Sequence, residues 1–205
     1  MPLIGITGGL ATGKSAVTAL FKSYGAVVFS ADEAVRAVQT PGSSVVHAIA
    51  ALFGSHILRP DGSLDRVLLG SLVFIDSNLL KALNRIVHPP TTRLLRAQID
   101  AVREDFAPNK TIAIEIPLLF EANFQDWFEQ IIVVASSETS QVARLLARNG
   151  LNEQEARRRI AVQMPMAAKI ACADVVIHND GSFSDLSETT ARIWQQFGCQ
   201  PGTMR

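Results

Sequence analysis

The sequence has no net charge and no general excess of basic side chains. Its 205 residues include 19 lysines and arginines against 19 aspartates and glutamates. A chain with this balance has no overall attraction to nucleic acid or to an anionic membrane surface. Any affinity for phosphate must therefore come from a local arrangement, and we expect neither nucleic acid nor a membrane among the partners.

Cysteines and long apolar runs are also scarce. The two cysteines, Cys172 and Cys199, lack the spacing of a metal site, which favours a reducing compartment such as the cytoplasm. The N-terminus lacks the basic segment and long apolar run of a signal peptide. The longest uncharged stretch, residues 37–58, contains Pro41, Gly42 and several polar side chains, so it is unsuited to spanning a membrane.

A glycine-rich phosphate-binding motif is present near the N-terminus. Residues 8–15 read Gly-Gly-Leu-Ala-Thr-Gly-Lys-Ser and fit the P-loop pattern G-x-x-x-x-G-K-[ST]. An apolar run before the motif and helical spacing after it argue against a glycine turn that binds nothing. Glycines let backbone N–H groups face a polyphosphate, and the helix opening at Gly13 adds its positive end. The pattern predicts that Lys14 reaches the β- and γ-phosphates and that the Ser15 hydroxyl ligates Mg²⁺.

Five short apolar runs alternate with longer helical patterns along the chain. They are predicted strands at Leu3–Thr7, Ala26–Ser30, Thr111–Ile116, Gln130–Ala135 and Asp174–His178. Most lack the alternation of a half-exposed strand, as expected for a parallel sheet covered on both faces. The sequence therefore predicts an α/β protein with a three-layer P-loop NTPase fold and a five-stranded parallel sheet.

A long excursion, from Asp32 to Lys110, separates the second and third strands. Its patterns predict helices at Asp32–Gln39, Ser43–Phe53, Asp65–Phe74, Ser77–Val87 and Pro90–Phe106. A structureless loop of this length would be unusual, so we expect a helical subdomain inserted into the nucleotide-binding core. A helix over Phe183–Phe197 should close the domain, and the tail at 198–205 is expected to be flexible.

Two acidic residues lie near the edge of the sheet where its strands end and ligands bind. Asp32 follows the second strand by two residues and shares a predicted helix face with Arg36. It is either a functional carboxylate or an ordinary helix N-cap. Glu115 lies in an otherwise apolar strand, where an unpaired carboxylate would be costly. It either faces Lys14 or the metal shell through water, or is satisfied by a nearby helix N-terminus.

Residues 144–169 carry six basic groups against two acidic ones. Arg144 and Arg148 lie four residues apart on a predicted helix, and Asn152 with Glu155 indicates a capped start for the next. Arginine-bearing helices suit a lid that closes over a triphosphate, and a solvated basic face is the alternative. After the fifth strand, Asn179 opens a turn that is either a simple loop or a source of backbone contacts to a nucleotide base.

The P-loop alone does not specify a reaction. A GTPase switch should carry an Asn-Lys-x-Asp motif for base recognition, but the chain's Asn109-Lys110 pair continues with Thr-Ile. A helicase or transport ATPase should be larger and, for nucleic acid, more basic. A small-molecule kinase best fits a compact core with an inserted acceptor-binding subdomain and an arginine lid.

The chain closely resembles the dephospho-CoA kinase family over nearly its whole length. The matching stretches are Thr7-Gly8-Gly9 with Gly13-Lys14-Ser15, Ala31-Asp32 with Arg36, Pro41-Gly42, Asp61-Gly62 with Asp65-Arg66, Leu83-Asn84 with His88-Pro89, Pro117-Leu118-Leu119-Phe120-Glu121, Arg144 with Arg148, Arg159-Ile160 with Gln163, and Ala173-Asp174 with Asn179. Many families share the P-loop. The Ala-Asp-x-x-x-Arg, His-Pro and Pro-Leu-Leu-Phe-Glu stretches, in this order, are much more specific.

The resemblance implies an adenylate-kinase-like core that transfers a phosphoryl group from ATP to the ribose 3′-hydroxyl of dephospho-CoA. It implies Mg²⁺ as cofactor, a helical acceptor-binding insertion at about 33–90, a lid at about 144–168, and a cytoplasmic monomer or weak homo-oligomer. The implied site residues are the catalytic Lys14, Asp32 and Arg144, the ATP-binding Gly9, Ala11, Thr12, Gly13, Lys14, Ser15, Ala16, Arg148 and Asn179, and the acceptor-binding Asp32, Arg36, His88, Pro117 and Leu118. For His88, which precedes two prolines, a structural role at the start of a helix is the alternative.

Three positions depart from what the family usually has. Ser30 stands where a second acid is usual, Ala16 where Thr is usual, and Ala11-Thr12 where Gly-Ser is common. We expect the missing threonine hydroxyl to weaken a contact with the α-phosphate and the missing acid to alter metal handling. Because the P-loop lysine and serine and the acid at Asp32 are kept, activity is still expected.

Overall fold

The computed structural model describes residues 2–105 and 110–197, which fall into two compact units. The first unit is built from Met1–Ser30 and Arg103–Arg205, and the second from Ala31–Val102. Phe106, Asn109 and the tail at 198–205, all named above, lie outside the described residues.

The elements alternate between strand and helix in the first unit and are helical in the second. In chain order they are β1 Leu3–Gly8, α1 Lys14–Ser23, β2 Val27–Ser30, α2 Ala31–Val38, α3 Ser44–Phe53, α4 Arg66–Ile75, α5 Ser77–Asp105, β3 Ile112–Glu115, β4 Gln130–Ala135, α6 Glu138–Asn149, α7 Glu153–Ala161, α8 Met166–Ala171, β5 Val175–His178 and α9 Phe183–Gln196. Among the described residues, no helix is both long and apolar enough to cross a membrane.

The five strands form one parallel sheet in the order β2-β3-β1-β4-β5. This confirms the predicted sheet, and no strand end differs from its prediction by more than one residue. All six residues of the central strand β1 are buried, and a strand covered on both faces reads as a continuous apolar run. The connection after β1 leads to one side of the sheet and the connection after its neighbour β4 leads to the other. The end of β1 therefore lies at a topological switch point, where open α/β sheets bind ligands.

The core of the first unit forms where α1 and α9 pack beside the sheet. Phe21 of α1 is fully buried, and its ring meets the edge of Trp194 at a centroid distance of 5.3 Å. Ile4 and Ile6 of β1 and Ile132 of β4 belong to the same apolar cluster. This packing holds the first turn of α1 directly behind the glycine-rich loop.

The second unit has its own apolar core and well-capped helices. Buried side chains of α3, α4 and α5 and of the segment between α3 and α4 form this core: Val45, Val46, Ile49, Ile57, Leu64, Leu69 and Val87. The Ser43 hydroxyl caps α3, and the Asp65 carboxylate accepts two backbone hydrogen bonds at the start of α4. The unit can therefore be read as a helical subdomain with its own packing.

The predicted break at Pro89-Pro90 is wrong, because α5 runs through both prolines from Ser77 to Asp105. Each proline lacks an N–H donor, so the helix loses two backbone hydrogen bonds there. The Thr91 hydroxyl donates to the Val87 carbonyl at 2.8 Å immediately after the prolines. Buried residues on both sides, Val87 and Leu95, anchor the helix, and tertiary burial outweighs the local preference. His88 therefore lies inside a helix and not at its start.

We predict that Phe21→Ala lowers the free energy of unfolding by about 3–5 kcal/mol, because it removes a buried ring and leaves a cavity. Urea denaturation followed by circular dichroism measures this loss. Phe183→Ala is the matched control: Phe183 is 66% exposed, and its loss should change stability by less than about 0.5 kcal/mol. Equal effects of the two substitutions would contradict the assigned core.

Candidate active site

The glycine-rich loop connects the end of β1 to the start of α1. At Gly8, a Cβ atom would overlap the carbonyl oxygen of Val134 in the neighbouring strand. At Gly13, the backbone is left-handed with φ of 94°, and a Cβ would overlap the Asn179 amide. Only glycine fits both positions, so the loop must bring its backbone into close approach with β4 and with the residue after β5. The N-terminus of α1 then points into the loop, as a phosphate site requires.

The side chain of the motif lysine, Lys14, contacts the backbone of the loop. The Lys14 ammonium donates to the Gly9 carbonyl at 2.7 Å and to the Gly8 carbonyl at 3.3 Å. Its side chain is buried, whereas Ser15, the next residue, is exposed. The positive charge is thus held against the backbone of the predicted cradle, and the serine hydroxyl is open to a ligand from solvent.

Glu115 contacts a threonine that the sequence did not indicate. Its carboxylate lies 3.1 Å from the hydroxyl of Thr18, on the second turn of α1, and that hydroxyl also lies 2.8 Å from the Lys14 carbonyl. Glu115 pairs with Ser30 in the sheet register. The carboxylate therefore ties the end of β3 to the P-loop helix through a threonine hydroxyl. The residue types and their spacing in the sequence did not indicate this contact.

Arg144 and Asn179 both contact the backbone of the loop. Arg144 donates to the Ala11 carbonyl at 3.2 Å, to the Ser136 hydroxyl at 2.9 Å and to the Asn179 carbonyl at 2.6 Å. The Asn179 side chain donates to the Thr12 carbonyl at 2.8 Å. The structure thus brings these two predicted residues together at the loop, where they brace it. Arg148, one turn further along α6, is exposed.

A second brace comes from the segment between α7 and α8. The side-chain carbonyl of Gln163 accepts a hydrogen bond from the Leu10 N–H at 2.8 Å. Together with Gly9, Gln163 lines a cavity of about 380 Å³ beside the loop. In the sequence, Gln163 stood out only as a position matching a family, because a glutamine acting across 153 residues leaves no local pattern.

The basic side chains of α7 are paired with carboxylates. Arg157 contacts Glu138 and Glu153, while Arg158 and Arg159 both contact Glu155. These pairs are largely exposed, so each adds little to stability. The six-residue basic cluster of the sequence is therefore not a uniform cationic face, because at least three of its members are neutralised locally.

An ion pair between a buried lysine and a partly exposed glutamate joins the segment after β3 to α8. Lys169 is fully buried and donates to both oxygens of Glu121, at 2.8 and 3.0 Å, and to the Pro117 carbonyl at 3.4 Å. Glu121 also accepts from the Met164 N–H at 3.0 Å. Burial opposes ionisation of Glu121, but these hydrogen bonds outweigh it and lower the pKa of the carboxyl. The sequence pattern placed Lys169 in a basic cluster and did not indicate this pair.

Comparison with known proteins identifies the family. The family model for dephospho-CoA kinase matches residues 2–185. The chain is 41% identical over 194 residues to the dephospho-CoA kinase of Geobacillus kaustophilus, covering 95% of this chain and 96% of the relative. The chain belongs to the dephospho-CoA kinase family.

Solved structures share the fold of this chain. A Thermus thermophilus protein of known crystal structure is 34% identical, with a TM-score of 0.81 over 95% of this chain and 97% of that one. The dephospho-CoA kinase of Campylobacter jejuni is 24% identical with a TM-score of 0.69, covering 95% of this chain and 96% of that one. At that identity the second likeness supports the fold alone.

In this family member the remaining predicted site residues lie partly in the second unit. Asp32 and Arg36 are exposed on α2, four residues apart. His88 is half-buried inside α5, and burial lowers the pKa of its imidazole. It lines a groove of about 380 Å³ that also includes Lys81 and Arg85. In the first unit, Pro117 accepts a hydrogen bond from Thr7 at 3.3 Å, while Leu118 is exposed.

We predict that Lys169→Met lowers the free energy of unfolding of this dephospho-CoA kinase family member by about 1–3 kcal/mol at neutral pH, the usual scale for hydrogen bonds to a charged group. The substitution removes the cation that donates to both Glu121 oxygens. A carboxyl with a lowered folded pKa stabilises the fold above its unfolded pKa of about 4.3, and this contribution is lost as the pH falls through the folded pKa. The difference between wild type and variant should therefore narrow in acid.

Chemical denaturation at several pH values measures that difference. Arg159→Met is the matched control, because it breaks an exposed pair with Glu155 and should cost less than about 1 kcal/mol. A Lys169→Met loss as small as that of the control, or one that stays constant down to acid pH, would contradict a stabilising role for this ion pair.

Proposed function

We propose that this chain catalyses the ATP-dependent phosphorylation of the ribose 3′-hydroxyl of dephospho-CoA, giving coenzyme A and ADP in the last step of coenzyme A biosynthesis. The observation that carries the proposal is the braced P-loop at the switch point of the sheet, in a chain whose dephospho-CoA kinase match spans residues 2–185. Another small-molecule or nucleoside monophosphate kinase is the second reading, and no contact among the described residues favours it.

The mechanism that fits this site is direct in-line transfer. Phosphoryl transfer passes through a loose transition state, so the protein acts mainly by positioning the reactants and stabilising charge. Loop N–H groups and the Lys14 ammonium would neutralise the charge on the phosphates of ATP. Of the two lid arginines, Arg144 would support the loop and contact phosphate, and Arg148 would close over the nucleotide. Gly9, Ala11, Thr12, Gly13, Ala16 and Asn179 would complete the ATP site.

The residues present fit a magnesium ion. Among the described residues, no three His, Cys, Asp or Glu side chains cluster as a metal cage, but Mg²⁺ with ATP needs few protein ligands because it keeps several waters and binds the phosphates. Ser15 is exposed at the start of α1, so its hydroxyl would hold the ion. When bound, Mg²⁺ neutralises negative charge on the phosphates of ATP.

Acceptor binding is proposed for Asp32 and four further residues. Asp32 would orient the ribose hydroxyl and accept its proton late, because a carboxylate is a weak base for an alcohol. Arg36, His88, Pro117 and Leu118 would hold the remainder of the acceptor. We propose one kinase domain in which the helical insertion binds dephospho-CoA and a lid at about 144–168 closes over the nucleotide.

For the cellular setting, we propose a cytoplasmic enzyme that acts as a monomer or weak homo-oligomer without nucleic acid. The balanced charge of the chain, 19 basic against 19 acidic residues, supports the absence of nucleic acid among its partners, because it offers no general affinity for polyanions.

We predict ADP release with dephospho-CoA and not with other acceptors when the protein is incubated with Mg·ATP. Pantothenate, shikimate and nucleoside monophosphates complete the panel, and a coupled assay measures ADP. Lys14→Ala should abolish turnover with little change in stability, and Lys22→Ala, at the other end of α1, is its control. Equal turnover of a nucleoside monophosphate would support the second reading, and ADP release without any acceptor would indicate an ATPase.

We predict that Asp32→Asn lowers kcat by at least about 10²-fold, the usual scale for a positioned acid–base group. Steady-state kinetics with varied dephospho-CoA separate kcat from KM. Glu33→Gln, the same chemical change at the next residue of α2, should leave kcat within a few-fold of wild type. If Asp32→Asn changes KM alone, Asp32 is a binding residue without a role in the transfer step.

A further inference from the structure

The P-loop contains one alanine in a backbone conformation that L-amino acids avoid. Ala11 has φ of 58°, in the left-handed region, where its Cβ crowds the backbone. It occupies the third position of the turn from Gly9 to Thr12, whose closing backbone hydrogen bond is a long 3.5 Å. A positive φ at this position favours glycine. Within the turn, the Thr12 hydroxyl also donates to the Gly9 carbonyl at 3.0 Å, and further support comes from outside the turn.

Two hydrogen bonds supply that support from opposite sides of Ala11. Before it, the Leu10 N–H donates to the Gln163 side-chain carbonyl at 2.8 Å. After it, the Ala11 carbonyl accepts from Arg144 at 3.2 Å. Arg144 also contacts Ser136 and Asn179, so replacing it would alter several contacts at once. Replacing Gln163 therefore tests the support of the turn more selectively.

We propose that Gln163 is a positioning residue for nucleotide binding, whose side-chain carbonyl holds the P-loop turn in the left-handed conformation of Ala11. The inference rests on the proposed function only in taking the P-loop as the nucleotide site. Gln163 acts through the backbone of Leu10.

The expected effect follows from the cost of a left-handed alanine. Without the Gln163 carbonyl, Ala11 relaxes toward negative φ and turns neighbouring N–H groups away from the cradle. The intrinsic preference of an L-residue against the left-handed region corresponds to about five- to thirtyfold in population. Because nucleotide binds only the competent fraction, its apparent Kd should rise by about the same factor. A glycine at position 11 carries no such cost. Replacing Gln163 should then change the apparent Kd little.

The test is a double-mutant cycle between Gln163→Met and Ala11→Gly. Methionine keeps the length of the side chain and removes the acceptor. Calorimetric titration with Mg·ADP gives Kd for wild type, both single variants and the double variant. We expect Gln163→Met to weaken ADP binding about five- to thirtyfold when alanine is kept at position 11, and less than about threefold when Ala11→Gly is already present. The result is the difference between these two losses of ADP affinity. It does not depend on the effect of Ala11→Gly alone.

Gln195→Met is the matched control, because Gln195 is exposed on α9, and it should leave Kd unchanged. Thermal melting checks that each variant folds, and Gln163→Ala replaces Gln163→Met if the latter does not. An unchanged Kd in Gln163→Met, or an equal loss with and without Ala11→Gly, would overturn the proposal. Because ADP binding needs no acceptor, failure of dephospho-CoA turnover would contradict the proposed function and leave this result intact.

Discussion

The close approach of two backbones at Gly8 is the constraint on which the site depends. At that residue β1 passes so near the Val134 carbonyl of β4 that no side chain fits. The chain must turn sharply there and turn again at Gly13, where the Asn179 amide fills the space of a Cβ. Between these contacts, the loop has little choice of path. Its backbone N–H groups converge because the sheet on one side and α1 on the other fix both ends.

The geometry of the loop is completed by side chains from far along the sequence. Arg144, Gln163 and Asn179 each make a hydrogen bond to loop backbone between Leu10 and Thr12. Backbone groups held in this way are pre-organised, so binding a polyphosphate does not have to include the free energy of ordering the loop. The arginines of α7 take no part in this bracing, since they pair with nearby glutamates. Lys14 and Arg144 place positive charge at the loop in a chain of zero net charge.

The sequence predicted the sheet well because buried parallel strands leave a local pattern. Each of the five strands appeared as an apolar run next to a helix signal, and the P-loop motif located the phosphate site. The helix through Pro89 and Pro90 was missed because the rule against internal proline is local, whereas burial of Val87 and Leu95 is a tertiary effect. The ion pair of Glu121 with the buried Lys169 was missed for the same reason. Its members lie 48 residues apart, and nothing around Lys169 marks it as buried.

The P-loop also depends on both local sequence and distant tertiary contacts. A glycine at position 11 would let the turn form by local preference alone, but Ala11 is held left-handed by partners more than 130 residues away. The nucleotide site is then fully formed only when α6 and the segment after α7 are folded against the loop. Local opening of either segment would remove the brace before the sheet itself unfolds, since such openings need less free energy than global unfolding. Ligand affinity in this chain therefore depends on the stability of these two segments as well as on the residues that touch phosphate.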